Sequence, residues 1–303
     1  MRIGIGLPAA IPGAHAPALG DWAARSEDLG FRSVGVIDRL LYDNLDPLVA
    51  LAAAASRTTG VELLTTVLNV PYRLSPVVLA KQIASLDRLS GGRVTAGLGL
   101  GGWPADTDAA GLARAELRTV MDTMVLTMRR AWAGELSGAG GPMPALGPDR
   151  PGLLFGGLAP SAYARAARFG QGWVAPSFGY EPLVAGVAGV RRAWAAAGRS
   201  GRPRVVVERY FSLGEDAGRT ADQYLAHYYG AQWVDPVRAD TPTTLDHLGR
   251  ELERLGDAGA DDVVLLPCAG DPGEIDRLAA ALDALGLAGR ELPRAVPAGA
   301  APA

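Results

Sequence analysis

Residues 61–99, VELLTTVLNVPYRLSPVVLAKQIASLDRLSGGRVTAGLG, carry two β-rich runs around one helical pattern. The runs Val61–Leu68 and Arg93–Leu98 are apolar almost throughout, as strands covered by helices are. Between them Ser75-Pro76 reads as an N-cap with proline at the first helical position. It opens a helix over Val77–Leu89 that Gly91-Gly92 closes. Strand, helix and strand in this order make a βαβ unit, whose two strands run parallel.

The unit recurs in both directions. Further strand patterns lie at Ile3–Leu7, Ser33–Ile37, Gly152–Phe155, Gly172–Ala175, Val205–Phe211 and Asp262–Leu266, which makes eight. Helical patterns fill the gaps. Ala18–Leu29 ends at Gly30, Asp46-Pro47 opens a helix through Arg57, and Ala115–Trp132 and Ser161–Phe169 follow. Glu181–Ala197, Thr220–Tyr229, Thr243–Leu255 and Gly273–Leu285 complete the series. This pattern predicts an α/β fold, a (β/α)8 TIM barrel forming a single domain over residues 1–288. Gly134–Pro151 reads as an irregular connection, the stretch between strands 7 and 8 as an insertion long enough for two helices, and 289–303 as a flexible tail.

Composition narrows the function. The chain has 303 residues, 49% of them hydrophobic and 20% charged, enough for a large core. Its 29 basic against 32 acidic residues leave a charge of −3, which argues against nucleic acid or an anionic membrane as partner. Lys81 is the single lysine, so an anion must be held by arginine or by backbone N–H groups. The apolar run before Pro8 is too short for a signal peptide, and Leu48–Ala55 is too short to span a membrane, so a cytoplasmic protein is expected.

A barrel of this kind places its active site at the C-terminal ends of the strands. There the chain offers His15 after strand 1, Asp38-Arg39 after strand 2, Thr66-Val67-Leu68-Asn69 at strand 3 and Gly97–Trp103 at strand 4. Gly156-Gly157 follows strand 5, Trp173–Ser177 ends strand 6, Glu208–Phe211 ends strand 7 and Pro267-Cys268 ends strand 8. Asp38 beside Arg39 either orients a cofactor edge and stabilises developing negative charge, or forms a structural ion pair at the barrel mouth. Gly156-Gly157 before the helix at Pro160-Ser161 either brings backbone N–H groups to a phosphate or makes a tight turn. The glycines 97, 99, 101 and 102 leave a surface for a flat ring, with neither the lysine of a P-loop nor the spacing of a dinucleotide fingerprint. His15 is the histidine placed for proton transfer. His227 and His247 read as solvated or capping, and none of the three has metal-site spacing. Cys268 reads as a buried structural thiol.

Arg2–Pro8, Ala23–Asp38 (AARSEDLGFRSVGVID), Pro71–Gly99 and Gly156–Trp173 (GGLAPSAYARAARFGQGW) together resemble the bacterial luciferase-like flavin-dependent oxidoreductases. That superfamily contains FMN-dependent monooxygenases and enzymes that use the deazaflavin coenzyme F420. The resemblance implies a coenzyme ring near Asp38, Thr66, Val67, Leu68, Asn69, Gly99, Gly101 and Trp103. It implies a phosphate at Gly156, Gly157 and Leu158, and a non-prolyl cis peptide within Val67–Val70. The chain departs from its relatives in having Arg39 where many have histidine, Leu158 where serine usually follows the glycines, and Gln171 where aspartate is common.

Three functions follow as expectations. The first is a monooxygenase using reduced FMN and O2 on a small organic substrate, supplied by a separate flavin reductase, with Arg39 stabilising the anionic reduced flavin. The second is an F420-dependent hydride-transfer enzyme, whose cationic exit for the coenzyme tail would come from Arg39, Arg73, Arg114 and Arg118. The third is a non-catalytic ligand-binding or partner-subunit barrel. A homodimer is expected in each case.

Overall fold

The computed structural model describes residues 1–143, 146, 147, 150–231, 233–287 and 289. Eight parallel strands close into a barrel: β1 (Arg2–Gly6), β2 (Ser33–Val36), β3 (Glu62–Asn69), β4 (Val94–Gly99), β5 (Gly152–Gly156), β6 (Gly172–Ala175), β7 (Arg204–Phe211) and β8 (Asp262–Pro267). Each strand pairs with its sequence neighbours, and β1 meets β8 through Arg2↔Asp262 and the following residues. The (β/α)8 expectation holds. Apart from Gly289, the expected tail lies outside the described residues.

The helices start where the sequence supplies caps. Asp46 accepts the backbone N–H of Leu48 at 2.9 Å to open α2 (Pro47–Ala55), and Ser75 accepts that of Val78 at 3.4 Å to open α3 (Pro76–Leu89). α1 (Leu19–Asp28), α6 (Pro160–Phe169), α7 (Tyr180–Ala196) and α11 (Gly273–Ala284) cover the barrel elsewhere. Two apolar layers result. One lies between strands and helices, and the second, inside the barrel, includes Leu64, Leu154, Val174, Val206 and Val264.

Three connections differ from the sequence reading. Between β4 and α5 (Leu117–Trp132) a short helix, α4 (Pro104–Ala109), follows Trp103. The stretch read as irregular contains a two-stranded hairpin, Ser137–Gly138 against Gly141–Pro142. Between β7 and β8 the described residues form three helices rather than two: α8 (Ala217–Tyr229), α9 (Val234–Ala239) and α10 (Leu245–Asp257). Tyr224, Leu225, Tyr228 and Val237 of α8 and α9 join the inner layer, so this insertion packs on the barrel mouth.

The opposite end of the barrel is closed by charge. Arg204 opens β7 and bonds both oxygens of Glu62 at 2.7 Å and Asp262 at 2.7 Å, while Arg2 reaches Asp262 at 2.6 Å. All four are first residues of their strands, which brings them into one ring. Burial raises the Glu62 pKa, but Arg204, Thr95 and Arg2 more than offset it and hold the carboxyl below its ordinary value.

Candidate active site

A cavity of ≈ 440 Å³ opens at the C-terminal ends of the strands. That size suits a small-molecule or cofactor site. It gathers most of the expected residues: Asp38, Thr66, Val67, Asn69, Gly99, Gly101, Trp103, Gly156, Gly157 and Leu158 all line it. Leu68 does not. It is fully buried in the layer between barrel and helices, on the face opposite Val67.

Val67 forms the centre of the floor. A Cβ at Gly99 would stand 2.4 Å from Val67 Cγ2, and one at Gly156 would stand 2.9 Å from Val67 Cγ1. The two glycines therefore leave the room that Val67 fills. The ladder between β3 and β4 shifts register between Thr65 and Leu68, and the non-prolyl cis peptide is Thr66-Val67. It thus lies one residue before the segment where the resemblance put it.

The edge of the cavity at β5 suits an anion. Gly157 holds φ +117°, and its carbonyl accepts the Trp173 indole N–H at 2.8 Å from below. No side chain caps α6, whose first turn brings Ser161 and Ala162 to the cavity. Pro160 has no N–H, and those of Ala162 and Tyr163 go to the Ala159 carbonyl at 2.8 and 3.4 Å, so Ser161 is the residue of this turn that offers its backbone N–H to a phosphate.

Asp38 and Arg39 do not pair with each other. Asp38 accepts Arg73 Nη2 at 2.8 Å and the Asn69 backbone N–H at 2.8 Å, while Asn69 Nδ2 donates to the Asp38 carbonyl at 2.9 Å. Burial raises the Asp38 pKa, and Arg73 and the Asn69 N–H offset this only in part. Arg39 turns the other way: its Nε donates to Asp106 at 2.9 Å and its guanidinium lies 3.9 Å from the Trp103 ring centre. Arg39 does not line the cavity; it backs Trp103, a lining residue, and is held there by Asp106. His15, exposed ahead of the turn Ala16–Ala18, does not line it either.

The remaining singled-out residues take structural places. His227 bonds Tyr42 Oη through Nδ1 at 2.7 Å, and Cys268 is buried, which pushes its thiol pKa well up. No cluster of metal ligands occurs among the described residues. Of the four arginines considered for an exit, Arg39 and Arg73 are held by carboxylates, and Arg114 and Arg118 are exposed on the approach to α5 and at its start.

Two features went unweighed in the sequence. Tyr210 of β7 meets α8 through Tyr224, Tyr228 and Tyr229, with Tyr210 Oη 3.1 Å from Tyr229 Oη and Ser177 Oγ 2.8 Å beyond. The spacing of Tyr224 and Tyr228 along YLAHYY, one helical turn, was the available signal. Glu208 is the second. It lines the cavity and, with Arg209 beside it, breaks the otherwise apolar run VVVERYF.

Comparison with known proteins bears out the fold. The model of the luciferase-like monooxygenases matches residues 1–289. The chain belongs to the luciferase-like monooxygenase family. Members of that family and its structural neighbours are oxidoreductases and monooxygenases. An uncharacterized protein of Mycobacterium tuberculosis is 32% identical over 173 residues, 54% of this chain and 60% of that protein. The F420-dependent hydroxymycolic acid dehydrogenase of the same organism is 31% identical over 50% of this chain and 47% of its own length. The chain thus spans about half to three fifths of these two relatives. Among solved structures, the monooxygenase RslO1 from Streptomyces bottropensis superimposes with a TM-score of 0.74 at 23% identity, over 95% of this chain and 99% of that one. In this luciferase-like barrel no helix among the described residues is long and apolar enough to cross a membrane.

Proposed function

We propose that the protein binds a reduced flavin-type coenzyme in the ≈ 440 Å³ cavity and passes hydride to an uncharged organic substrate, with F420 the first coenzyme to test. The observation that carries this is the charge of the lining. It contains two carboxylates, Asp38 and Glu208, and no lysine, arginine or histidine. A site that collects negative charge on a coenzyme or on oxygen wants a cation facing it. The guanidinium expected in that role is engaged with Asp106. Hydride transfer to a neutral acceptor needs only an acid nearby. The dehydrogenase relative of M. tuberculosis, whose name states F420, supports the same reading.

The residues fit such a coenzyme. Val67 in its glycine cradle, with Asp38, Thr66, Asn69, Gly99, Gly101 and Trp103, would border the ring. Gly156, Gly157, Leu158 and the start of α6 would hold the phosphate by N–H groups. When bound, the coenzyme supplies the hydride. The chain orients it, excludes water with Trp103, Tyr228 and Tyr229, and holds a proton.

A second reading keeps reduced FMN and O2, a monooxygenase fed by a separate reductase. The anion edge at α6 favours it, since that edge matches a coenzyme ending in one phosphate and Arg39 and Arg73 do not supply an exit for a charged tail. Titration with F420 and with FMN, followed by turnover with and without O2, separates the two. The hydride reading expects binding of F420 and turnover without O2. Product that forms only with FMN and O2 overturns it in favour of the second.

A further inference from the structure

Alternation along β7 sends Arg209 outward to Glu251, at 2.8 Å, and leaves Glu208 inside the barrel with Val206 and Tyr210. Glu208 is 9% exposed, lines the cavity with Thr66 and Val67, and its Oε2 has no hydrogen-bond partner. A buried carboxyl oxygen without a partner is costly unless a proton or a ligand meets it, and the side chain that carries it borders the cavity.

We propose that Glu208 is the residue that exchanges a proton with the substrate, and that the substrate is a carbonyl compound or the corresponding alcohol. This rests on the hydride reading above. In the reductive direction the hydride forms the new C–H bond and the C=O π pair moves to oxygen. That oxygen takes the proton from Glu208, whose O–H bond breaks with its pair left on the carboxylate. The carbonyl gains two electrons, the coenzyme loses two, and water returns the proton to Glu208.

The surroundings keep the acid neutral until it is used. Burial outweighs the Thr66 hydroxyl and the charge of Arg209, which pull the other way, and pushes its pKa up to about 8. Tyr210, Tyr228 and Tyr229 face the same space as neutral phenols, since burial raises all three and a charged Glu208 would raise them further. Asp38, the other carboxylate of the lining, is already held by Arg73 and Asn69. A carboxylic acid with a pKa near the working pH is suited to general acid–base catalysis.

The test uses the full chain and its variants Glu208→Gln and Glu208→Asp. Infrared spectra without coenzyme should show a protonated carboxyl band at pH 7 that titrates near pH 8 and is missing in Glu208→Gln. With F420 or FMN in reduced form and a panel of ketones and aldehydes from acetone to decanal, Glu208→Gln should lose about 10²–10⁴ in kcat. Coenzyme affinity should stay unchanged, and Glu208→Asp should recover part of the rate. The wild-type reductive rate should fall as pH rises through about 8. Full kcat in Glu208→Gln, loss of coenzyme affinity instead of rate, absence of the carboxyl band, or an idle panel with coenzyme bound each overturns the proposal. Failure of both coenzymes to bind the wild type overturns the coenzyme reading itself, which the infrared result does not depend on.

Discussion

Arg39 stacks on Trp103, its guanidinium carbon 3.9 Å from the ring centre, while its Nε holds the fully buried Asp106 at 2.9 Å. Asp106 also accepts the N–H groups of Leu40 and Leu41, at 3.0 and 3.1 Å, so one carboxylate ties the β2 loop to α4. The contact fixes the wall of the cavity without entering it.

Arg39→Ala should therefore act on stability first. Removing one partner of a buried ion pair typically costs about 3–5 kcal/mol. We expect a marked fall in Tm with coenzyme affinity lowered only as far as Trp103 loosens. Arg39→Lys should recover part of the Tm, because it keeps the charge but not the planar face. An unchanged Tm with turnover lost would return Arg39 to the reacting centre.

At the phosphate edge, Gly157→Val should weaken FMN and F420 to the level of coenzyme without its phosphate and also lower Tm. A side chain at φ +117° is strained, and its Cβ would stand 3.2 Å from Ala162 Cβ. Leu158→Ser is the cleaner probe, since Leu158 is largely exposed and its replacement adds a hydroxyl beside the same N–H groups. The ratio of riboflavin to FMN dissociation constants measures the phosphate contribution. It should rise in Leu158→Ser and collapse toward one in Gly157→Val.

At the closed end, Glu62→Gln should destabilise the protein near neutral pH. The folded Glu62 pKa lies below its ordinary 4.5, so the stability it contributes is present above that value and lost as pH falls through the lowered one. The Tm gap between wild type and Glu62→Gln should thus narrow in acid. Arg204→Met should cost more, about 3–5 kcal/mol, because it removes both guanidinium bonds to Glu62 and one to the buried Asp262, leaving Arg2 as the one cation of the ring.

Glu208 has the opposite sign. Its folded pKa of about 8 stands above the ordinary 4.5, so the folded protein binds the extra proton and wild-type stability declines between these two values. Glu208→Gln, which does not titrate, should gain on the wild type as pH rises from 5 to 8.5, by a few kcal/mol on the order-of-magnitude scale of about 1.4 per pKa unit. Parallel Tm curves would show that Glu208 is charged in the folded chain at neutral pH.

The barrel was legible in the sequence because its causes are local. Period and apolar runs mark the eight strands, Asp46 and Ser75 start their helices where the caps stand, and strand ends nominate Asp38, Thr66–Asn69, Gly99 and Gly156–Leu158. Most of that last group meets in one cavity, since parallel strands of a closed barrel deliver all their C-terminal ends to one side. Side-chain direction is not local. Asp38 and Arg39 read as a pair because they are adjacent, yet a strand end sends neighbours to opposite faces, and their partners Arg73 and Asp106 come from 35 and 67 residues away. The ring of Arg2, Glu62, Arg204 and Asp262, the tyrosines of α8 against Tyr210, and the partnerless oxygen of Glu208 likewise exist only once the barrel closes. Sequence sets where a strand ends; closure decides what each end faces, because burial and charge pairing are properties of the assembled space and not of any one segment.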